Sequence, residues 1–280
     1  MTAVLGIDAA WTATQPSGVA LVKKKDATWR LIATAASYLN FVDGSERPIS
    51  EQRRPVPSVM NLGAMLDVAA SMIGGGVDLI AVDMPLARTA IIARRNADDA
   101  VSRAYGARKC GTHTPSAIRP GPISDAMRAA CETSGYPLLT QGISTPGLIE
   151  VYPHPALLVE LTGAIERLPY KISKTKSYWR SETLMNRRTR LLDQWAAIVD
   201  ALEVEIAGVS AMLPIPQQVA ATWELKAFED ALDAVICAWV GICALEERAI
   251  PYGDDASAIW IPCRKKMWDD PAQKRTRRKI

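Results

Sequence analysis

Five acidic residues at four places stand out in this 280-residue chain because of where they fall. Asp8 ends the apolar run VLGID, Asp83 ends LIAVD, Glu150 lies inside GLIEV, and Asp230 and Asp233 stand three apart in EDALDAV. A carboxylate beside a buried strand is expensive unless something compensates it. Several together are worse, since each raises the pKa of its neighbours until cations neutralise them. Mg²⁺ and Mn²⁺, which prefer oxygen ligands, meet that need. Two such ions about 3.5–4 Å apart can activate a water and stabilise the leaving oxygen of a phosphodiester. The chemistry expected of the set is therefore metal-dependent phosphodiester hydrolysis, with Asp8, Asp83, Glu150, Asp230 and Asp233 as its acids.

Each acid alone has a plainer account. Turn N–H groups after the first strand would satisfy Asp8, and Asp83 would start the turn before Pro85. Glu150 would face an edge, while Asp230 and Asp233 would gain from the early turns of a helix. The recurrence of strand-end acids favours the common explanation, and Asp83 ranks above Glu150 because it closes its strand before Pro85, as Asp8 closes the first, whereas Glu150 sits a residue deeper. Positive charge for a polynucleotide falls in two groups: Arg88, Arg94, Arg95, Arg103, Arg108 and Lys109, then Lys171, Lys174, Lys176 and Arg180. Tyr170, Tyr178 and Trp179 could stack on bases, and Trp11 follows Asp8 at the expected cleft rim. His113 and His154 are candidate proton carriers, His154 the better placed.

Elements that could position these residues follow from periodicity. Ala3 to Asp8, Gly18 to Lys24 and Trp29 to Ala36 read as strands, and their short connections favour an antiparallel meander. A helix over Met60 to Ile73 ends at Gly74, Gly75 and Gly76, and a strand follows from Val77 to Val82. The triple glycine follows a helix and opens a strand, the reverse of a phosphate-cradling loop. Residues 88–146 read as a helical and loop insertion before the strand around Glu150. A long amphipathic helix through Leu191, Trp195 and Ile198, a second through Phe228 and Trp239, and a strand from Ala258 to Pro262 complete a single domain over 1–263.

About half the residues are hydrophobic and 22% are charged, as in globular proteins. No apolar run approaches a membrane span, and Met1 leads straight into a strand with no basic leader, so a soluble, cytoplasmic protein is expected. Five scattered cysteines suit reduced thiols, and Cys110-Gly-Thr-His113 lacks the second closely spaced pair that a zinc site needs. Residues 264–280 hold eight basic and two acidic residues, so this tail carries +6 of a net +3 and leaves the body near −3. It could hold phosphate backbones or merely be solvated.

The order "GIDAAW…PSGVAL", "IAVDMPL", a basic segment, "IEVYPHPAL", "LPYK…R" and "EDALDAVICAW" resembles the DUF429 family, a group regarded as predicted nucleases of ribonuclease H-like fold. The resemblance spans roughly Val4 to Pro262. It implies an α/β fold whose mixed five-stranded sheet, three antiparallel strands followed by parallel ones, is flanked by helices. The late Asp-x-x-Asp is similar to the final acidic pair of RuvC-type resolvases in that superfamily. By that analogy Asp8, Asp83 and Asp233 hold Mg²⁺ or Mn²⁺, with Asp230 and Glu150 as supporting or alternative ligands. Trp11, Arg95, Arg108, Lys109, His154, Lys171 and Lys174 are the expected substrate contacts. The expected partner is DNA or RNA, with a homodimer left open. Two rivals stand beside this reading: a non-catalytic nucleic-acid-binding protein, and a nucleotide phosphohydrolase or phosphotransferase. Against the second, Asp8 is followed by Ala9, Ala10 and Trp11 instead of a glycine–threonine turn.

Overall fold

The computed structural model describes residues 2–157 and 161–263; the basic tail lies outside the described residues. Strands β1 (Thr2–Asp8), β2 (Gly18–Lys25) and β3 (Thr28–Ala35) form the expected meander. Strands β4 (Leu79–Asp83) and β5 (Gly147–Val151) then add in parallel on the other side of β1. A hairpin of β6 (Ala249–Gly253) and β7 (Ala258–Pro262) extends the sheet to seven strands in the order β3-β2-β1-β4-β5-β7-β6. The order from β3 to β5 is ribonuclease H-like. The sheet thus has two strands more than the five the resemblance implies. Of these, β6 escaped sequence reading because Pro251 and Gly253 interrupt its short run.

Side chains alternate across the pleat and sort the sheet into two faces. Val4, Leu79, Ala81, Ile149 and Val151 join one core with helices α7 (Leu184–Glu205) and α9 (Thr222–Leu245). Leu5, Ile7, Ile80, Val82 and Leu148 join the other, against α1 (Tyr38–Gly44), α2 (Leu62–Ile73) and α4 (Gly121–Thr133). Asn61 caps α2 by accepting from the Ala64 N–H, and Gly74 ends it in the left-handed region at φ 69°. Thr183 likewise caps α7, accepting from Asn186 N–H. The segment between β4 and β5 contains α3 (Asn96–Tyr105) and α4. A third, small core of Ala97, Val101, Tyr105, Ile259 and Ile261 seats α3 on β7. Short helices α5 (Pro153–Ala156), α6 (Thr175–Tyr178) and α8 (Val209–Met212) complete the set.

Helix α9 is buried on every side over Ala227 to Ala244, more than the expected stripe. It lies directly on β1 and β2. A Cβ at Gly6 would collide with the backbone of Ala234 and Ala238, and one at Gly18 with the Asp230 carbonyl. These two glycines allow the close approach that brings the acids of α9 to the end of β1. Among the described residues, no helix is long and apolar enough to cross a membrane. All five cysteines are buried and none forms a disulfide.

Candidate active site

Asp8 and Asp83 are direct partners in the parallel register of β1 and β4, where they end adjacent strands. Neighbouring strands lie about 4.8 Å apart, and paired residues point to one face, here the face that α9 covers. Asp230 and Asp233 are delivered to the same place from α9. Asp8, Asp83 and Asp230 line a cleft of about 700 Å³ together with Trp11, His113 and Arg119. Among the described residues, neither the Asp8 nor the Asp83 carboxyl accepts a hydrogen bond or makes an ion pair.

The acids of α9 are differently provided for. Asp233, wholly buried, accepts from the Tyr170 hydroxyl at 2.8 Å and is ion-paired with Lys171. Lys226 contacts Asp230 Oδ1 at 2.5 Å and Glu229 Oε1 at 2.8 Å. Lys171 is thus an internal counter-ion. Burial opposes its charge, yet Asp233, with Tyr170, Glu229 and Asp8, holds its pKa well above the usual range.

Burial pushes the Asp8 carboxyl well above the ordinary carboxylate range, and Asp233 adds to the rise while Lys171 opposes it. Asp83 is pushed up to about 7 by burial, with Lys171 opposing and Asp233 and Glu150 reinforcing. Asp230 also reaches about 7, by burial set against Lys226. Burial and mutual repulsion thus favour the protonated form of these carboxyls unless another cation enters.

Glu150 is elsewhere. It pairs with Val82, one residue short of Asp83, so the pleat sends it to the opposite face of the sheet. There Arg95 reaches both its oxygens, at 2.6 and 2.8 Å, and the Leu86 N–H donates to it at 2.7 Å. Arg95 also grips Asp98 twice. Burial opposes the Arg95 charge, but Glu150 and Asp98 hold its pKa above its usual range. Glu150, Arg95 and Asp98 are each at most 9% exposed, an ionic cluster whose charges pair with one another in the wall of a recess that Asp83 also borders.

The structure also separates the remaining expected substrate contacts. Trp11 lies at the cleft, edge-on to His113 at 6.3 Å between ring centres. Lys171 is there too, but it is engaged with Asp233. Arg108 donates to the Ala164 and Ile165 carbonyls and Lys109 pairs with Glu166, which commits both to the segment around 164–166. Tyr170, expected to stack on bases, is fully buried and serves Asp233 instead. Lys174 is exposed, and His154 is buried against Arg167. Sequence reading missed Arg167, Arg119 and Lys226. Only Lys226 carried a local signal, three and four residues before Glu229 and Asp230 on one helical face.

The model of the family DUF429, described as a protein of unknown function, matches residues 6–257. The chain belongs to DUF429. No curated protein and no solved structure matches it. The DUF429 match runs from β1 into the β6–β7 connection and so includes every acid of the cleft.

Asp8 and Asp83 of this DUF429 chain suit a divalent cation in one specific way. Their carboxyls are oxygen donors without partners among the described residues, at a place where mutual repulsion and burial disfavour their charge. They do not suit a cage of protein ligands. Among the described residues, no three His, Cys, Asp or Glu side chains converge to hold a metal, and both Asp233 oxygens are engaged. Mg²⁺ commonly takes one or two carboxylates and completes its shell with water and substrate phosphate, and the Asp8–Asp83 pair matches that pattern.

Proposed function

We propose that this protein is a divalent-metal-dependent phosphodiesterase acting on nucleic acid. The observation that carries the reading is the Asp8–Asp83 pair: two carboxylates in register on adjacent parallel strands, without partners among the described residues, in the lining of a cleft. Asp8 and Asp83 hold Mg²⁺ or Mn²⁺, and Asp230 supports them from α9. When bound, such an ion polarises a phosphate oxygen and lowers the pKa of a water. The chain's own residues do the rest. Lys171 pairs with Asp233 and offsets its repulsion of Asp8 and Asp83, the rigid strand ends fix the pair, and Trp11 offers a ring at the rim for a base. Five cysteines outside any disulfide accord with a reducing, cytoplasmic setting.

The test is cleavage of structured RNA, RNA–DNA hybrid and branched DNA with Mg²⁺ or Mn²⁺, by the wild type and by Asp8→Asn and Asp83→Asn. The reading expects metal-dependent cleavage of at least one substrate and its loss in both variants. Undiminished cleavage in either variant contradicts it.

A further inference from the structure

A recess of about 140 Å³ borders the cleft beside Asp83; Trp11, His113, Tyr152 and His154 are among its walls, and so are Arg95, Asp98 and Glu150, whose charges pair with one another. His154 is 7% exposed, and its Nε2 meets a terminal nitrogen of Arg167. A guanidinium can only donate, so Nε2 accepts and the imidazole proton resides on Nδ1. That Nδ1–H is buried without an acceptor among the described residues, and so is the Nε–H of Arg167. Buried donors normally find acceptors, and two orphans on one contacting pair point to a missing acceptor group.

The charge around the recess points the same way. Among the described residues, the Arg167 side chain hydrogen-bonds to His154 alone, and neither Lys174 nor Arg119 is in an ion pair. Arg94, Arg95, Arg108 and Lys109 all meet acceptors within the protein. Burial lowers the pKa of His113, and Lys174, Arg167 and Arg119 lower it further. Burial and then Arg167 hold His154 well below its usual value. Arg167 also lowers the pKa of Asp83, without a hydrogen bond or ion pair to it, and cations gathered about neutral imidazoles, none of them ion-paired among the described residues, make a place for an anion.

We propose that Arg167, Lys174 and Arg119, with the Nδ1–H of His154, form a subsite for a phosphate monoester beside the Asp8–Asp83 centre. A monoester carries about −1.5 to −2 charges near pH 7, against one for a backbone diester, and so matches a cluster of cations better. The group is the terminal phosphate of a polynucleotide or that of a mononucleotide. Its place in the reaction rests on the phosphodiesterase reading, whereas the binding itself requires neither metal nor turnover.

Fluorescence anisotropy of the full chain in EDTA tests this, with internally labelled strands of one sequence bearing a 5′-phosphate, a 3′-phosphate or neither. One terminal phosphate should tighten binding about tenfold. Lys174→Ala and Arg119→Ala, both at exposed positions, should each cut that advantage about threefold with little effect on the unphosphorylated strand. Arg167→Ala should abolish the advantage, and Arg167→Lys should keep part of it. Competition separates the sources. Displacement by a nucleoside monophosphate at concentrations close to those of the phosphorylated strand supports the subsite with a mononucleotide as occupant, and much weaker displacement supports it with a polynucleotide end. Equal affinity for the three strands overturns the subsite, as does an advantage that survives all of the alanine variants. A phosphate advantage without cleavage under any metal would remove the hydrolase reading alone, and Asp8-dependent cleavage without the advantage would remove the subsite alone.

Discussion

On one face of the sheet, Asp8 and Asp83 end adjacent strands, and their carboxyls have no partner among the described residues. On the other, Glu150, one residue deeper on the next strand, is held by Arg95 through two oxygens and by the Leu86 N–H. Both sites place carboxylates in apolar strands, and burial raises the pKa of each carboxyl. The difference lies in the chain that covers each strand end. Beyond β4 the chain crosses toward the Glu150 face, where the Leu86 N–H and Arg95, just ahead of α3, close the site. Above Asp8 and Asp83 the close packing of α9 delivers more acids and a cleft stays open. A buried acid with its hydrogen bonds filled is a structural element, and one left open is a candidate for chemistry.

The largest expected effect separates the two regions by activity. Asp8→Asn should lower metal-dependent cleavage by about a thousandfold or more, while Glu150→Gln should change it less than about tenfold, as measured by initial rates. Comparable losses in both variants would break the comparison. Arg95→Ala should destabilise the protein by about 3–5 kcal/mol in denaturant unfolding, because it strands two buried carboxylates. Adding Glu150→Leu should recover part of that loss, which would identify the cluster as a closed ion pair.

Asp83→Asn should do the reverse in metal-free protein. The folded pKa of Asp83, about 7, lies above its ordinary value of 3.8. Its contribution to stability is therefore complete below about pH 4 and is lost as pH rises through about 7. At pH 8 the variant should be more stable than the wild type by on the order of 2 kcal/mol after allowance for partial solvent access. The difference should vanish near pH 4, as measured by thermal unfolding with and without chelator. The smallest effect belongs to the rim: Trp11→Ala should weaken single-strand binding by about 1 kcal/mol in anisotropy titrations.

Much of this is legible in the amino-acid sequence alone. Strand-end acids after apolar runs, the meander and the two long amphipathic helices are local patterns, and local patterns survive folding. The depth of Glu150 by one residue is visible as well, but its consequence is not. It depends on the register of β4 against β5, which inverts the face, and on Arg95 arriving from the segment between those strands. Arg95, Arg108 and Tyr170 read as substrate contacts because sequence shows charge and aromaticity without showing partners. Arg167 and His154 are 13 residues apart, beyond any helical or strand repeat, and only the fold brings them together.

Binding of Mn²⁺ to the 280-residue chain, followed by electron paramagnetic resonance, tests the central claim most directly. Wild type and Glu150→Gln should bind the ion alike, and Asp8→Asn and Asp83→Asn should each weaken binding at least about tenfold. Unchanged binding in the Asp8 and Asp83 variants, or loss confined to Glu150→Gln, would contradict the assignment of the open carboxylate pair as the metal site.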